Sequence, residues 1–527
     1  MSAMQFFELM IAMLLAIIAL HFAARKLGLP PSAALLTGGA ALAFIPGLPA
    51  VSIDPDLILV IFLPPLLMEG AWFIPFGQLL KHRLGVVSLA VGAVIFTTVA
   101  VAVVAHMLLP ALPWAACAAL GAIVSPPDAI AARSILERVR LPKRLSILLD
   151  GESLLNDASG LVLFRFAIAA GVSGAFSAVH ALETFAILSI GGLLVGSVVG
   201  ALWVMLTRRL GDAYLMIAAS ILAPWAAYAV GEMLHVSGVI ATVTTGLICG
   251  WYQHVVFTAA VRIRGGSFWG VMTFLMEAMV FLLIGLSLRG VLERVGGIGV
   301  VIHQMAIPIL VILLALTVAR FAWVFAGEAI TVMSHRLGIR RATPLGARCG
   351  IVLSWAGMRG VVTLAVALSI PEGFPGRDFI LVTAFAVILV TVLVQGTSLG
   401  RVIKWADLKD TEGDIARMTM SEAEASMARE QVKVVQREAF DSEGVLVHPR
   451  LLDQYQRRAA MSLRYVSEET EFKPKLHAHF DVVLAAVAAG RSELIRLHRA
   501  GDIDDETLHE LERDLDLEEL GAISAKS

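Results

Sequence analysis

The segment from Leu148 to Phe164, LLDGESLLNDASGLVLF, sets Asp150, Glu152, Asn156 and Asp157 inside an otherwise apolar, helix-like run. A carboxylate in such a place can hold a proton, a hard cation or a buried basic partner. In lipid it costs at least ~2.5 to 3.5 kcal/mol on insertion scales, so every ionisable group within an apolar run is a functional candidate. Helical spacing sorts this stretch. Residues four apart stack on one face, which puts Ser153 with Asp157, and Glu152 with Asn156 on the adjoining face. Ser153, Asn156 and Asp157 offer oxygens suited to a hard cation. Glu152 is suited to neutralising a buried arginine, and Asp150, nearer the loop, reads as an entrance residue.

Depth adds a second criterion. The basic turn RLPKR centres on Pro142, with Asp128 fourteen residues before it and Asp157 fifteen after it. At ~1.5 Å per residue both lie roughly 20 Å from that turn, close to mid-bilayer. The same measure places Glu69 twelve residues before Lys81, Arg359 eleven after Arg348 and Glu277 thirteen after Arg264. Charges from five separate runs therefore share one level, which scattered structural ion pairs would not do. Two runs are also interrupted at that level. In GAIVSPPDAIAA, Pro126 and Pro127 cannot both continue a helix, and the lost bonds free carbonyls just before Asp128. In LSWAGMRGVV, Gly357 and Gly360 flank Arg359.

The elements that must position these groups follow from composition. The 527 residues are 58% hydrophobic and 16% charged, far from the ~25% charged of a soluble domain, and belong in a membrane. A net charge of -2 gives no basic surface for nucleic acid. Cys117, Cys249 and Cys349 lie far apart in apolar runs and read as small hydrophobes. About thirteen runs are long enough to span, near 6–24, 29–46, 56–76, 84–108, 113–139, 143–171, 180–206, 213–233, 236–252, 268–290, 298–331, 346–370 and 378–400. Beyond Arg401 the sequence turns charged, which predicts a soluble, mostly helical tail over 403–527.

Basic residues gather in alternate connections: Arg25 and Lys26, Lys81 and Arg83, Arg138 to Arg144, Arg208 and Arg209, Arg262 and Arg264, Arg336 to Arg348, Arg401 and Lys404. The other connections hold only Arg289, Arg294 and Arg377. By the positive-inside rule the first set is cytoplasmic, with the N-terminus outside and the tail inside. The two interrupted runs occupy the second place in two three-helix groups, runs 4 to 6 and 11 to 13, that traverse the membrane in opposite senses. Interrupted helices at matching positions of inverted repeats point to a midplane transport site. The fold class expected is an all-α polytopic membrane protein with about thirteen spans, inverted repeats and two interrupted helices.

The motifs IFLPPLLMEGAW, SPPDAIAA, GESLLNDASGLVLF, MEAMVFLLIGLSL and SWAGMRGVVTLAVAL occur in this order between residues 10 and 400. With them the sequence resembles the monovalent cation/proton antiporter superfamily, in the branch of bacterial sodium/proton antiporters related to the animal exchangers. The resemblance implies a homodimer in the cell inner membrane that works by elevator-like alternating access. Its core would comprise helices within 84–171 and 298–400, and its dimerisation part helices within 6–76 and 180–290. It also implies roles. Asp157 would be the principal carboxylate for cation or proton, Asp128 the second, Ser153 and Glu69 further sodium ligands and Pro127 a carbonyl ligand. Glu152 and Arg359 would form a structural ion pair, and Asn156 before Asp157 matches the electroneutral branch. The segment SPPDAIAA departs from the common pattern at Pro127 and Ala129.

Bland readings compete at some positions. Glu69 suits a structural pair with Arg165 or Arg320 as well as a ligand role, and Glu277 and Glu69 are the candidate partners of Arg165. The histidines fall near helix ends or singly on apolar faces. The acidic tail segment GDIDDETLHELERDLDLEEL lacks the glycine and alternating ligands of a calcium loop, and GEMLH lacks the second histidine of a zinc-protease helix. The activity expected is secondary exchange of a monovalent cation, foremost sodium, for a proton, with no cofactor and no enzyme chemistry. Potassium or lithium exchange is the runner-up, and a cation channel is the rival class.

Overall fold

The computed structural model describes residues 3–45, 60–128, 141–173, 178–337, 344–408, 419–440, 443–467, 469–500 and 502–526. The second half of the expected run 113–139, with Ala129 and Arg138 to Arg140, lies outside these residues, as does 56–59 of the third run. Among the described residues there is no strand; one isolated bridge joins Phe440 and Leu446. The chain divides into two compact units, Met1–Thr411 and Glu412–Ser527.

In the first unit the helices are α1 (Ala3–Leu27), α2 (Pro31–Ala43), α3 (Leu63–Phe73), α4 (Arg83–Leu108), α5 (Trp114–Val124), α6 (Lys143–Ser173) and α7 (Ala178–Thr207). They continue as α8 (Ala213–Met233), α9 (Gly238–Val256), α10 (Ala259–Arg294), α11 (Ile298–Arg336), α12 (Ala347–Trp355), α13 (Val361–Leu368) and α14 (Arg377–Ala406). Nine of the described helices are long and apolar enough to cross a membrane, and every expected run has a helical counterpart. Among the helix starts the largest difference is at α10, which begins at Ala259, where Thr258 caps it by accepting from the Val261 amide. Arg262, Arg264, Arg289 and Arg294 occupy its ends, where apolar periodicity stops while backbone bonding goes on.

Close helix contacts replace the hydrophobic driving force that lipid removes, and they need small residues. A Cβ on Gly39 of α2 would stand 2.5 Å from the Leu282 carbonyl oxygen, and one on Gly285 of α10 would stand 2.4 Å from that of Leu36. Packing is densest within two sets of helices: α2 with α10, α7 with α9 and α9 with α3 in one; α4 with α5, α5 with α6 and α11 with α4 in the other. Contacts between the sets are sparser. The second set contains a repeated pattern. Wide π-type turns lie near the start of both α4 (Ser88–Ala93) and α11 (Val301–Met305), an interrupted span follows each, and a long helix, α6 or α14, closes each group.

Outward faces are apolar, as lipid requires. On α7, Ile187, Ile190, Leu194, Val198 and Leu202 form such an exposed stripe.

The second unit holds α15 (Met420–Glu438), α16 (Pro449–Ser467), α17 (Glu469–Ala500) and α18 (Asp505–Lys526). Thr419 and Glu422 form a reciprocal capping box at the start of α15. Arg491 joins α17 to Asp516 and Glu519 of α18, so the charged tail is helical, as its sequence predicts.

Candidate ion-binding site

The first interruption begins at Ser125, which ends α5. Pro126 and Pro127 have no amide hydrogen to donate, so helical bonding cannot continue past Ser125, which itself keeps helical angles, φ -69° and ψ -47°. The second runs from Ala356 to Gly360, between α12 and α13. The two segments meet. The Asp128 amide donates to the Met358 carbonyl at 2.7 Å, and the Val361 amide, the first of α13, donates to Asp128 Oδ2 at 3.2 Å. Gly360 makes this approach possible, since a Cβ there would lie 1.7 Å from the same carboxylate oxygen. The Asp128 carboxylate thus faces the positive end of a helix, which favours negative charge.

Arg359 is 1% exposed. Its Nε donates to the Val124 carbonyl at 2.9 Å, its Nη2 to that of Ser125 at 3.4 Å and its Nη1 to that of Gly357. Its backbone amide donates to Thr391 Oγ1 at 3.1 Å, inside the wide turn Thr391–Gln395 of α14. The guanidinium therefore covers the carbonyl end of α5, where a cation is stabilised by the helix dipole and by the unpaired acceptors.

Glu152 lies within electrostatic reach of Arg359, its expected partner, but its bonds go to another arginine. Glu152, 1% exposed, is held by Arg320 of α11 in a two-pronged ion pair, Nη1 to Oε1 at 2.6 Å and Nη2 to Oε2 at 2.9 Å. Arg320 also donates to the carbonyls of Ser354 and Leu353 at 3.2 and 3.0 Å, and a Cβ on Gly357 would stand 2.4 Å from its Nε. The planar fork of arginine matches a carboxylate and leaves one edge for carbonyls, which suits Arg320 to tying α6 to the end of α12. Arg320 does not pair with Glu69.

Asp157 and Asp128 are both half-buried, and Asp128 lies within electrostatic reach of Asp157. Asn156 is fully buried; its Nδ2 donates to the Pro127 carbonyl, and its Oδ1 has no hydrogen-bond partner among the described residues. Ser153, one turn before Asp157, is half-buried. Asp150 accepts from Ser146 Oγ at 3.2 Å. Glu69 lies on α3 beside Met68, Trp72, Phe73 and Trp269. Asp157, Asp128, Asn156 and Pro127 thus come together, while Glu69 stands on a helix of the other set. Arg165 Nη2 lies 3.4 Å from Glu232 Oε2, a partner the sequence reading did not offer.

Two groups escaped sequence reasoning as parts of the site. Arg320 lies sixteen residues before Arg336, ~24 Å along a helix, so depth alone could have added it to the midplane set. Thr391 carried no such indication, because a threonine in an apolar helix ordinarily bonds its own backbone.

Residues 10–405 match the family model described as sodium/hydrogen exchanger, transmembrane. This chain belongs to that family. Its members are cation/proton antiporters, multi-pass proteins of the membrane, and not enzymes. The chain is 33% identical over 502 residues to the uncharacterized Na(+)/H(+) exchanger YjcE of Escherichia coli, covering 89% of each. It is 31% identical over 495 residues to a sodium, potassium, lithium and rubidium/H(+) antiporter of Bacillus pumilus, covering 90% of this chain and 72% of that one. The sodium proton antiporter MjNhaP1 of Methanocaldococcus jannaschii superposes with a TM-score of 0.61 at 20% identity, covering 78% of this chain and all of that structure. That likeness establishes the exchanger fold.

Proposed function

We propose that this exchanger moves sodium against protons, with cation and proton competing for one site built on Asp157 and Asp128. The observation that carries this reading is the meeting of Asp128, Asp157, Asn156 and the Pro127 carbonyl where the two interrupted spans cross. Arg320 is engaged by Glu152, and Arg359 by the carbonyls that end α5. Two acids within electrostatic reach of one another resist carrying charge together, and a proton or a cation relieves that repulsion. Ser153, the Pro127 carbonyl and Asn156 Oδ1 add oxygens of the hard type that sodium prefers, and Glu69 joins them when its helix approaches. Asn156 positions the Pro127 carbonyl, whose second lone pair remains for the ion.

Exchange follows if only the occupied site crosses readily. The sparse packing between the two helix sets supports a core moving against dimerisation helices in a homodimer. Basic residues at the ends of α1 and α11 and at the start of α6 support a cytoplasmic tail and an external N-terminus in the inner membrane. One charge exchanged for one makes transport electroneutral.

Everted vesicles test this directly. Added sodium should alkalinise the lumen-facing reporter, independently of membrane potential, and Asp157→Asn should abolish the response. Cation flux without proton movement would overturn it in favour of a channel. The name of the Bacillus pumilus relative supports a second reading, in which potassium and lithium are also cargo. The same vesicles with each cation in turn distinguish the two.

A further inference from the structure

Arg165 and Glu232 form an ion pair between the two helix sets. Arg165 rides on α6, eight residues beyond Asp157, ~12 Å along the axis. That helix runs unbroken from Lys143 to Ser173, so a displacement of Asp157 carries Arg165 with it. Glu232 is on α8, which packs against α9 and α7 of the other set, and is anchored there. It lies in the last turn of α8, and its Oε1 accepts from the Gly238 amide, the first of α9, at 3.4 Å. The corner around it is tight. His235 takes the left-handed conformation at φ 55°, Ser237 caps α9 by accepting from Ile240, and a Cβ on Gly231 would stand 2.7 Å from the Gly238 α-carbon. One partner thus travels with the site and the other is fixed to the frame.

We propose that Arg165 and Glu232 form a latch that holds the site helix in the arrangement seen here and must open for the core to shift. Arg165 is then a positioning residue for transport that touches no ion. The inference rests on the antiport reading above, in which the core moves. At 3.4 Å the contact is long for an ion pair, and both side chains are partly exposed, 45% and 37%, so separating them costs less than breaking a fully buried pair. A contact made in one state and absent from the other shifts the population between them by its own free energy.

The test uses the full chain in vesicles, as R165Q, E232Q, R165Q/E232Q and the charge swap R165E/E232R. Each single variant should change the half-maximal sodium concentration about threefold or more in the same direction; the double should be no worse than either single, and the swap should return toward wild type. A second readout does not need exchange. In the Asp157→Asn background without native cysteines, Ala170→Cys near the end of α6 is labelled with an impermeant maleimide, and R165Q and E232Q should each change its labelling rate about threefold.

Additive single effects, unchanged labelling in both singles, or lower protein abundance with wild-type kinetics would overturn the latch. Wild-type vesicles that move no protons with sodium, potassium or lithium would overturn the antiport reading instead, and the labelling arm would still decide whether the pair controls the position of α6.

Discussion

The two interrupted spans break their helices by different means and place opposite charges in the break. In the fifth span, consecutive prolines end α5 and Asp128 follows; in the twelfth, glycines surround Arg359 between α12 and α13. Each break creates a helix end that its own side chain does not serve. Arg359 donates to the carbonyls that finish α5, and Asp128 accepts from the amide that starts α13. The spans are therefore complementary, each supplying the charge that the other's helix end requires. By contrast, Asp157 sits on the continuous helix α6, with no helix end to hold its charge in one state. That difference suits Asp128 to a fixed role and Asp157 to a changing one.

Removing the acids tests this division most severely. Asp157→Asn should reduce sodium-driven proton movement to background while leaving thermal stability in detergent near that of wild type. Asp128→Asn should also lose transport, but with a lower melting temperature, because the crossing loses a charge-assisted bond. Equal stability of the two variants would break the comparison.

The next largest effect concerns the ion pair beside the crossing. Glu152→Gln or Arg320→Met alone should destabilise the fold by about 3 to 5 kcal/mol, since each leaves one buried charge uncompensated. The double variant should recover most of that loss, read as melting temperature by fluorescence-detected size exclusion. Arg359→Lys should cost less, about 1.5 to 3 kcal/mol, as one ammonium cannot span the carbonyls of Val124, Ser125 and Gly357 together. If Glu152→Gln and Arg359→Lys proved strongly coupled in a double-mutant cycle, the assignment of Glu152 to Arg320 would need revision.

The smallest expected change is at Thr391. Thr391→Val removes the acceptor for the Arg359 amide and should cost about 1 kcal/mol, visible as a small drop in melting temperature with transport retained. A larger loss would mean that the wide turn of α14 depends on that hydroxyl.

Much of this arrangement was legible beforehand. The acids of GESLLND, the prolines before Asp128 and the glycines around Arg359 announced themselves because charge in lipid and a missing amide hydrogen are local properties. The partners of Arg165 and Glu152 were not legible in that way. Counting residues fixes how deep a group lies and helical spacing fixes its face, but neither says which neighbouring helix that face meets.

The sequence by itself determined the all-helical, many-run architecture, the two interruptions and the helical tail, because each follows from apolar run length, backbone satisfaction and proline or glycine chemistry within one segment. Tertiary structure alone decided that Arg320 rather than Arg359 neutralises Glu152. Both arginines lie deep within their spans, and the choice depends on how α6, α11 and α12 pack. The binding surface that Arg359 uses instead, the carbonyl end of α5, comes within its reach only once the two broken spans have crossed.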